Sequence, residues 1–142
     1  MPPNSLASDA ALLRRAVSAL QRRLRAQDPD GGISPTGLAI LARLMRSGVT
    51  SASEIAELET LQPQSLTRVL KSLERAKLID RWTDEDDRRR TSIAITPRGE
   101  ALLRTTIRER IAWLAGVMGT RLTAQERATV RSAAKLIERI VG

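Results

Sequence analysis

With 142 residues, 24 basic against 16 acidic side chains and a net charge of +8, the chain has the length of one domain with one substantial core, and its charge suits an anionic partner. It contains no Cys, His, Tyr or Phe, which removes Cys/His zinc sites, thiol switches, Ser–His or Cys–His nucleophile pairs and imidazole pH sensing. Trp82 and Trp113 are its only aromatic residues, which argues against a sheet that stacks single-stranded bases on aromatic rings.

Apolar residues at Leu6, Ala10, Leu13, Val17, Leu20 and Leu24 follow the period of about 3.5 residues of a helix with a narrow seam. Arg14, Arg15, Arg22, Arg23 and Arg25 occupy its other faces, and Asp28-Pro29-Asp30-Gly31-Gly32 ends it. The seam suits packing within the chain or against a partner helix. Ser34-Pro35 supplies an N-cap and a first-turn proline for a second helix, with Leu38, Leu41, Leu44 and Met45 on one face up to Gly48. Ser51 and Glu54 form an S-x-x-E capping box that opens a short third helix carrying Ile55, Ala56 and Leu58. A fourth helix starts near Pro63 and buries Leu66, Val69, Leu70 and Leu73. Gln64, Thr67, Arg68, Lys71 and Arg75 lie on its opposite side.

Ile79–Trp82 and Thr91–Thr96 read as two short strands, joined by the charged loop Thr83–Arg90 into a hairpin. A long helix follows Pro97-Arg98-Gly99 with Leu103, Ile107, Leu114 and Val117 or Met118. A second capping box, Thr123 with Glu126, opens a last helix with Val130, Ala133, Ile137 and Ile140. The predicted order is α-α-α-α-β-β-α-α, mainly α with a small β-hairpin.

A short capped helix, a brief turn and a second helix with a basic outer face form a helix-turn-helix, in which the second helix enters the major groove. Ala56 is the small residue where the two helices touch, and Thr60 rather than Gly occupies the turn. The hairpin next to it reads as a wing whose tip, Arg88, Arg89 and Arg90, can reach an adjacent minor groove. The competing reading of each feature is a solvated charged face, with Asp84, Glu85, Asp86 and Asp87 neutralising the tip arginines. Net charge by region is +1 over residues 1–60, +2 over 61–100 and +5 over 101–142, so bulk charge does not single out the reading head.

The run Leu73-Glu74-Arg75-Ala76-Lys77-Leu78-Ile79-Asp80-Arg81, then Asp87-Arg88-Arg89, then Ile93-Ala94-Ile95-Thr96-Pro97-Arg98-Gly99 resembles the signature of the MarR family of winged helix-turn-helix transcription regulators. The resemblance implies a single domain spanning residues 1–142, with 1–32 and 99–142 as dimerisation helices and 33–98 as the winged DNA-binding lobe. It implies a cytoplasmic homodimer that represses from a pseudo-palindromic duplex. On the recognition helix it places DNA contacts at Gln64, Ser65, Thr67 and Arg68, with Lys71 on a phosphate. On the wing it places Arg89 in the groove, Asp87 as the residue that orients it, and Arg88 and Arg90 on the backbone. Two positions depart from the family pattern. Lys77 stands where glycine is usual, at a helix end that favours positive φ, and Glu85 replaces the usual wing proline.

In the family a small molecule often binds a crevice between the dimerisation helices and the winged lobe, shifts the spacing of the two reading heads and releases DNA, which is a coupling free energy between two sites. Without Cys or His, sensing by thiol oxidation or by zinc is excluded, which leaves a small organic effector, anionic or apolar, or none. Trp113 either lines such a pocket or belongs to a core. No cofactor and no metal is expected, nor an enzyme: the carboxylates at 84–87 lie on an open loop, not in a pocket that would raise a pKa. The alternative function is a helical dimeric protein-interaction module without DNA binding. Met1-Pro2-Pro3-Asn4 lacks the basic and apolar regions of a signal peptide, and Ile111–Gly119 is far too short to span a membrane, so a soluble protein is expected.

Overall fold

A computed structural model describes residues 5–29 and 32–142. The expected breakers Asp30 and Gly31, like the N-terminal Met1–Asn4, lie outside the described residues. Six helices and three strands follow in the order α1 (Leu6–Arg25), α2 (Pro35–Ser47), β1 (Thr50–Ser51), α3 (Ala52–Leu58), α4 (Pro63–Arg75), β2 (Ile79–Thr83), β3 (Thr91–Ile95), α5 (Pro97–Arg121) and α6 (Ala124–Val141). The helices begin where the capping residues predict. Ser34 Oγ accepts from the Gly37 N–H at 3.0 Å with Pro35 in the first turn, and both reciprocal bonds of the Ser51/Glu54 and Thr123/Glu126 boxes are made.

The strand missing from the sequence reading is β1. Its two residues pair antiparallel with β3, Thr50 opposite Ile93 and Ser51 opposite Ser92, so the sheet is three-stranded with order β1-β3-β2. The hairpin register runs from Ile79 opposite Ile95 to Thr83 opposite Thr91. Two residues are too few to show alternation, which is why the pattern hid β1.

The chain forms two compact units, and their boundary falls inside α5. One unit is Pro29–Ile107. Its core joins Ile40, Leu41 and Leu44 of α2, Ile55 of α3, Leu66, Leu70 and Leu73 of α4, Leu78, Ile79 and Ile93 at the sheet, and Leu103 of α5. Leu58 of α3 stays outside that packing and is 58 % exposed. The other unit comprises residues up to Asp28 together with Arg108–Gly142. It is held in part by a paired charge: Arg110 Nε and Nη2 donate to the two carboxylate oxygens of Asp28 at 2.7 and 2.6 Å, and that bond keeps the Arg110 guanidinium more firmly protonated than usual. Arg23 lies 5.7 Å from the centre of the half-buried Trp113 ring. No residue of α1 or α6 is buried.

Candidate nucleic-acid interface

The interface is built on the Pro29–Ile107 unit. The α3 N-terminus is fixed by the Ser51 hydroxyl, which accepts from the Glu54 N–H at 3.2 Å, and by Glu54 Oε2, which accepts from the Ser51 N–H at 2.9 Å. These two bonds, with a smaller contribution from the positive charge of Arg90, hold the Glu54 carboxyl below its ordinary value. The turn to α4 closes with the Leu61 N–H on the Ala56 carbonyl at 3.0 Å, and it requires Thr60 at φ 52°. A β-branched residue is rarely found there. Arg43 of α2 braces the turn by donating from Nε to Glu59 Oε1 at 3.0 Å.

On α4 the apolar side, Leu66, Leu70 and Leu73, is buried, and Gln64, Ser65, Thr67, Arg68, Lys71 and Arg75 are all exposed. At 100° per residue, Gln64, Thr67, Arg68, Lys71 and Arg75 fall within a sector of about 100°, and Ser65 lies at its flank. The Thr67 hydroxyl donates to the Pro63 carbonyl at 2.8 Å, which leaves its lone pairs outward. α4 ends in the left-handed turn the family pattern demands, with Lys77 at φ 59° in place of glycine; the Leu78 N–H reaches back to the Leu73 carbonyl at 2.9 Å. Lys77 itself takes the left-handed conformation, so the strain falls on that one residue. The start of α5 locks against it: the Thr96 hydroxyl donates to the Lys77 carbonyl at 2.8 Å and accepts from the Gly99 N–H at 3.0 Å.

The wing tip is organised by its aspartates acting on backbone. Asp84 Oδ1 accepts from the Asp86 N–H at 2.9 Å, Asp87 Oδ1 accepts from the Arg89 N–H at 3.0 Å, and the Arg90 N–H donates to the Asp87 carbonyl at 2.9 Å. Asp87 therefore sets the course of the chain at Arg89 through the amide rather than the guanidinium. Among the described residues no ion pair engages Arg68, Lys71, Arg75, Arg88, Arg89 or Arg90, so the tip acids do not neutralise the tip arginines by contact. The structure thus brings all nine site residues to the surface of one unit, five on α4 and four on the tip.

The sequence reading assigned no role to the Arg43–Glu59 pair, nor to Glu74 and Arg81, whose side chains meet between α4 and β2. Arg43 lies on α2 and Glu59 at the C-cap of α3, with no helical spacing to relate them. The other two stood inside the signature motif, where a tertiary contact leaves no periodic mark.

A helix-turn-helix followed by a β-hairpin wing defines this unit as a winged helix-turn-helix. The family model described as MarR family matches residues 33–91. An uncharacterized HTH-type transcriptional regulator of Mycobacterium bovis is 35% identical over 136 residues, 96% of this chain and 92% of that protein. The HTH-type transcriptional repressor MdtR of Bacillus subtilis is 31% identical over 98 residues, 68% of this chain and 63% of its own. The crystal structure of a transcriptional regulator from Pseudomonas aeruginosa superposes with a TM-score of 0.82 at 30% identity, covering 98% of each chain. The chain belongs to the MarR family: it is a DNA-binding transcriptional regulator, in a family of regulators rather than enzymes.

Proposed function

We propose that two copies of this chain repress transcription in the cytoplasm by binding one pseudo-palindromic duplex, with residues 1–32 and 99–142 joining the copies and residues 33–98 reading DNA. The observation that carries this reading is the free polar and basic face of α4 beside a wing tip whose three arginines have no ion-pair partner among the described residues. In the major groove Gln64, Ser65, Thr67 and Arg68 meet base edges and phosphates, and Lys71 meets a phosphate. Arg89 enters the minor groove, Arg88 and Arg90 grip the backbone, and Asp87 shapes the turn. Basic and acidic residues number twelve and eleven over residues 29–107, so attraction to DNA is local to these groups.

Pairing is supported by the apolar residues left bare on the terminal helices: Leu6, Leu136, Ile140 and Val141 are all more than half exposed. Repression is supported by the likeness to MdtR. A small organic effector is supported by a cavity of about 550 Å³ within the lobe, which falls in the range of ligand pockets. Ser72 and Leu73 of α4 and Ala76 at its C-cap line it, and among the described lining residues Arg98 alone is charged, which suits an anionic or apolar molecule. Leu73 belongs to the core and Ala76 caps the helix, so occupancy bears on the pose of the recognition helix.

Recovery of bound duplex from a random-sequence pool tests the reading. The expected product is an inverted repeat with half-site centres about one helical turn apart. Recovery of a single unrepeated half-site, or no enrichment, contradicts it.

A further inference from the structure

The geometry points to Glu74 and Arg81 as a positioning pair that holds the wing at a fixed angle to the recognition helix; the inference rests on the DNA-binding reading above. Glu74 stands in the last turn of α4 and Arg81 in the middle of β2. Arg81 Nε donates to Glu74 Oε2 at 2.9 Å, and Nη2 lies 2.8 Å from the same oxygen. Among the described residues, the other polar links between the helix end and the hairpin sit at the hinge itself: the Thr96 hydroxyl donates to the Lys77 carbonyl and the Thr96 N–H to the Leu78 carbonyl. The ion pair acts three residues beyond Leu78, on the β2 edge that β1 does not pair, where a force on the hairpin has leverage.

That leverage matters because the reading arginines are far from the hinge. From Leu78 to the tip is about 20 Å of strand and turn, so a tilt of about 10° carries Arg89 about 3–4 Å, more than half of a minor groove about 6 Å wide. The β1–β3 pairing, Thr50 opposite Ile93 and Ser51 opposite Ser92, anchors the β3 edge of the hairpin, and the apolar contacts of Leu73, Leu78 and Ile79 hold its base without direction. The β2 edge, which β1 does not reach, is left to the ion pair. A guanidinium clamped on one carboxylate oxygen is directional. The pair is also partly open to solvent, with side-chain exposures of 26% for Arg81 and 43% for Glu74, so breaking it leaves the fold standing.

Arg81→Gln removes a positive charge and Glu74→Gln removes a negative one, which separates geometry from simple electrostatics. The probe is a duplex recovered by the wild-type protein from a random pool, examined by hydroxyl-radical cleavage for the wing and by guanine N7 methylation for the recognition helix. Both variants are expected to lose affinity by roughly tenfold and to lose the wing footprint while keeping N7 protection. Their melting midpoints should fall by no more than about 4 °C. The exchanged pair Glu74→Arg/Arg81→Glu should restore the wing footprint. If the two single variants shift affinity in opposite directions with the wing footprint intact, the positioning role is overturned while the DNA-binding reading stands. If the wild-type protein itself leaves no wing footprint, the reading fails and the inference with it.

Discussion

Lys77 and Thr60 are the two non-glycine residues with positive φ among the described residues, at 59° and 52°. Each sits where a helix stops and the chain must turn sharply, and each is held there by neighbouring backbone bonds rather than by its own preference. Glycine at Lys77 gains the conformational relief but adds freedom to the unfolded chain, so Lys77→Gly should be more stable by about 0.5–1 kcal/mol in urea denaturation. Thr60→Gly should gain at least as much, because a β-branched side chain is more crowded at that φ. An unchanged or lower midpoint in both would refute this account of the turns. Gly99 is the converse. A Cβ there would meet the Leu78 carbonyl oxygen, a backbone atom that cannot swing away, so Gly99→Ala should lose about 2 kcal/mol or more. The departure at Lys77 was legible from the motif. Its consequence was not, because a sequence does not say whether a turn will reshape or bear strain.

At the scale of elements, α3 depends on its capping box. Ser51→Ala should destabilise by about 1 kcal/mol, read from the same urea curves. The lowered pKa of Glu54 fixes the sign of its pH dependence. Its contribution is complete above the ordinary glutamate value and disappears as pH falls through the lowered one. Glu54→Gln should therefore melt below the wild type at neutral pH, and the gap should close in acid; a gap that persists in acid would show that the charge is not responsible. The helices were readable because caps and apolar spacing are local signals, and the exposed row on α4 followed directly from that spacing. β1 was hidden by its length, since two residues carry no alternation. The wing acids were weighed as counter-charges. Asp84 and Asp87 instead bond backbone amides, a use that residue type permits but charge counting overlooks.

At the scale of the whole molecule, charge and hydrophobic surface have separate tasks. On the proposed dimer, the apolar side chains left bare on α1 and α6 form the joint between copies, and Ile140→Glu should then give a monomer in sedimentation at micromolar concentration and weaken binding to an inverted repeat far more than to a single half-site. A variant that stays dimeric would move the interface elsewhere. The basic groups on α4 and the wing have no ion-pair partner among the described residues; if they meet DNA as proposed, phosphate neutralisation releases counterions in proportion to the contacts made. The most direct test is the salt dependence of duplex binding. The logarithm of the binding constant should fall against the logarithm of salt concentration with a slope steeper than about −4, and Arg89→Ala should flatten it by about two, one contact in each lobe. A slope near zero, or one untouched by loss of Arg89, would contradict the claim that these arginines meet the phosphates and grooves of a duplex.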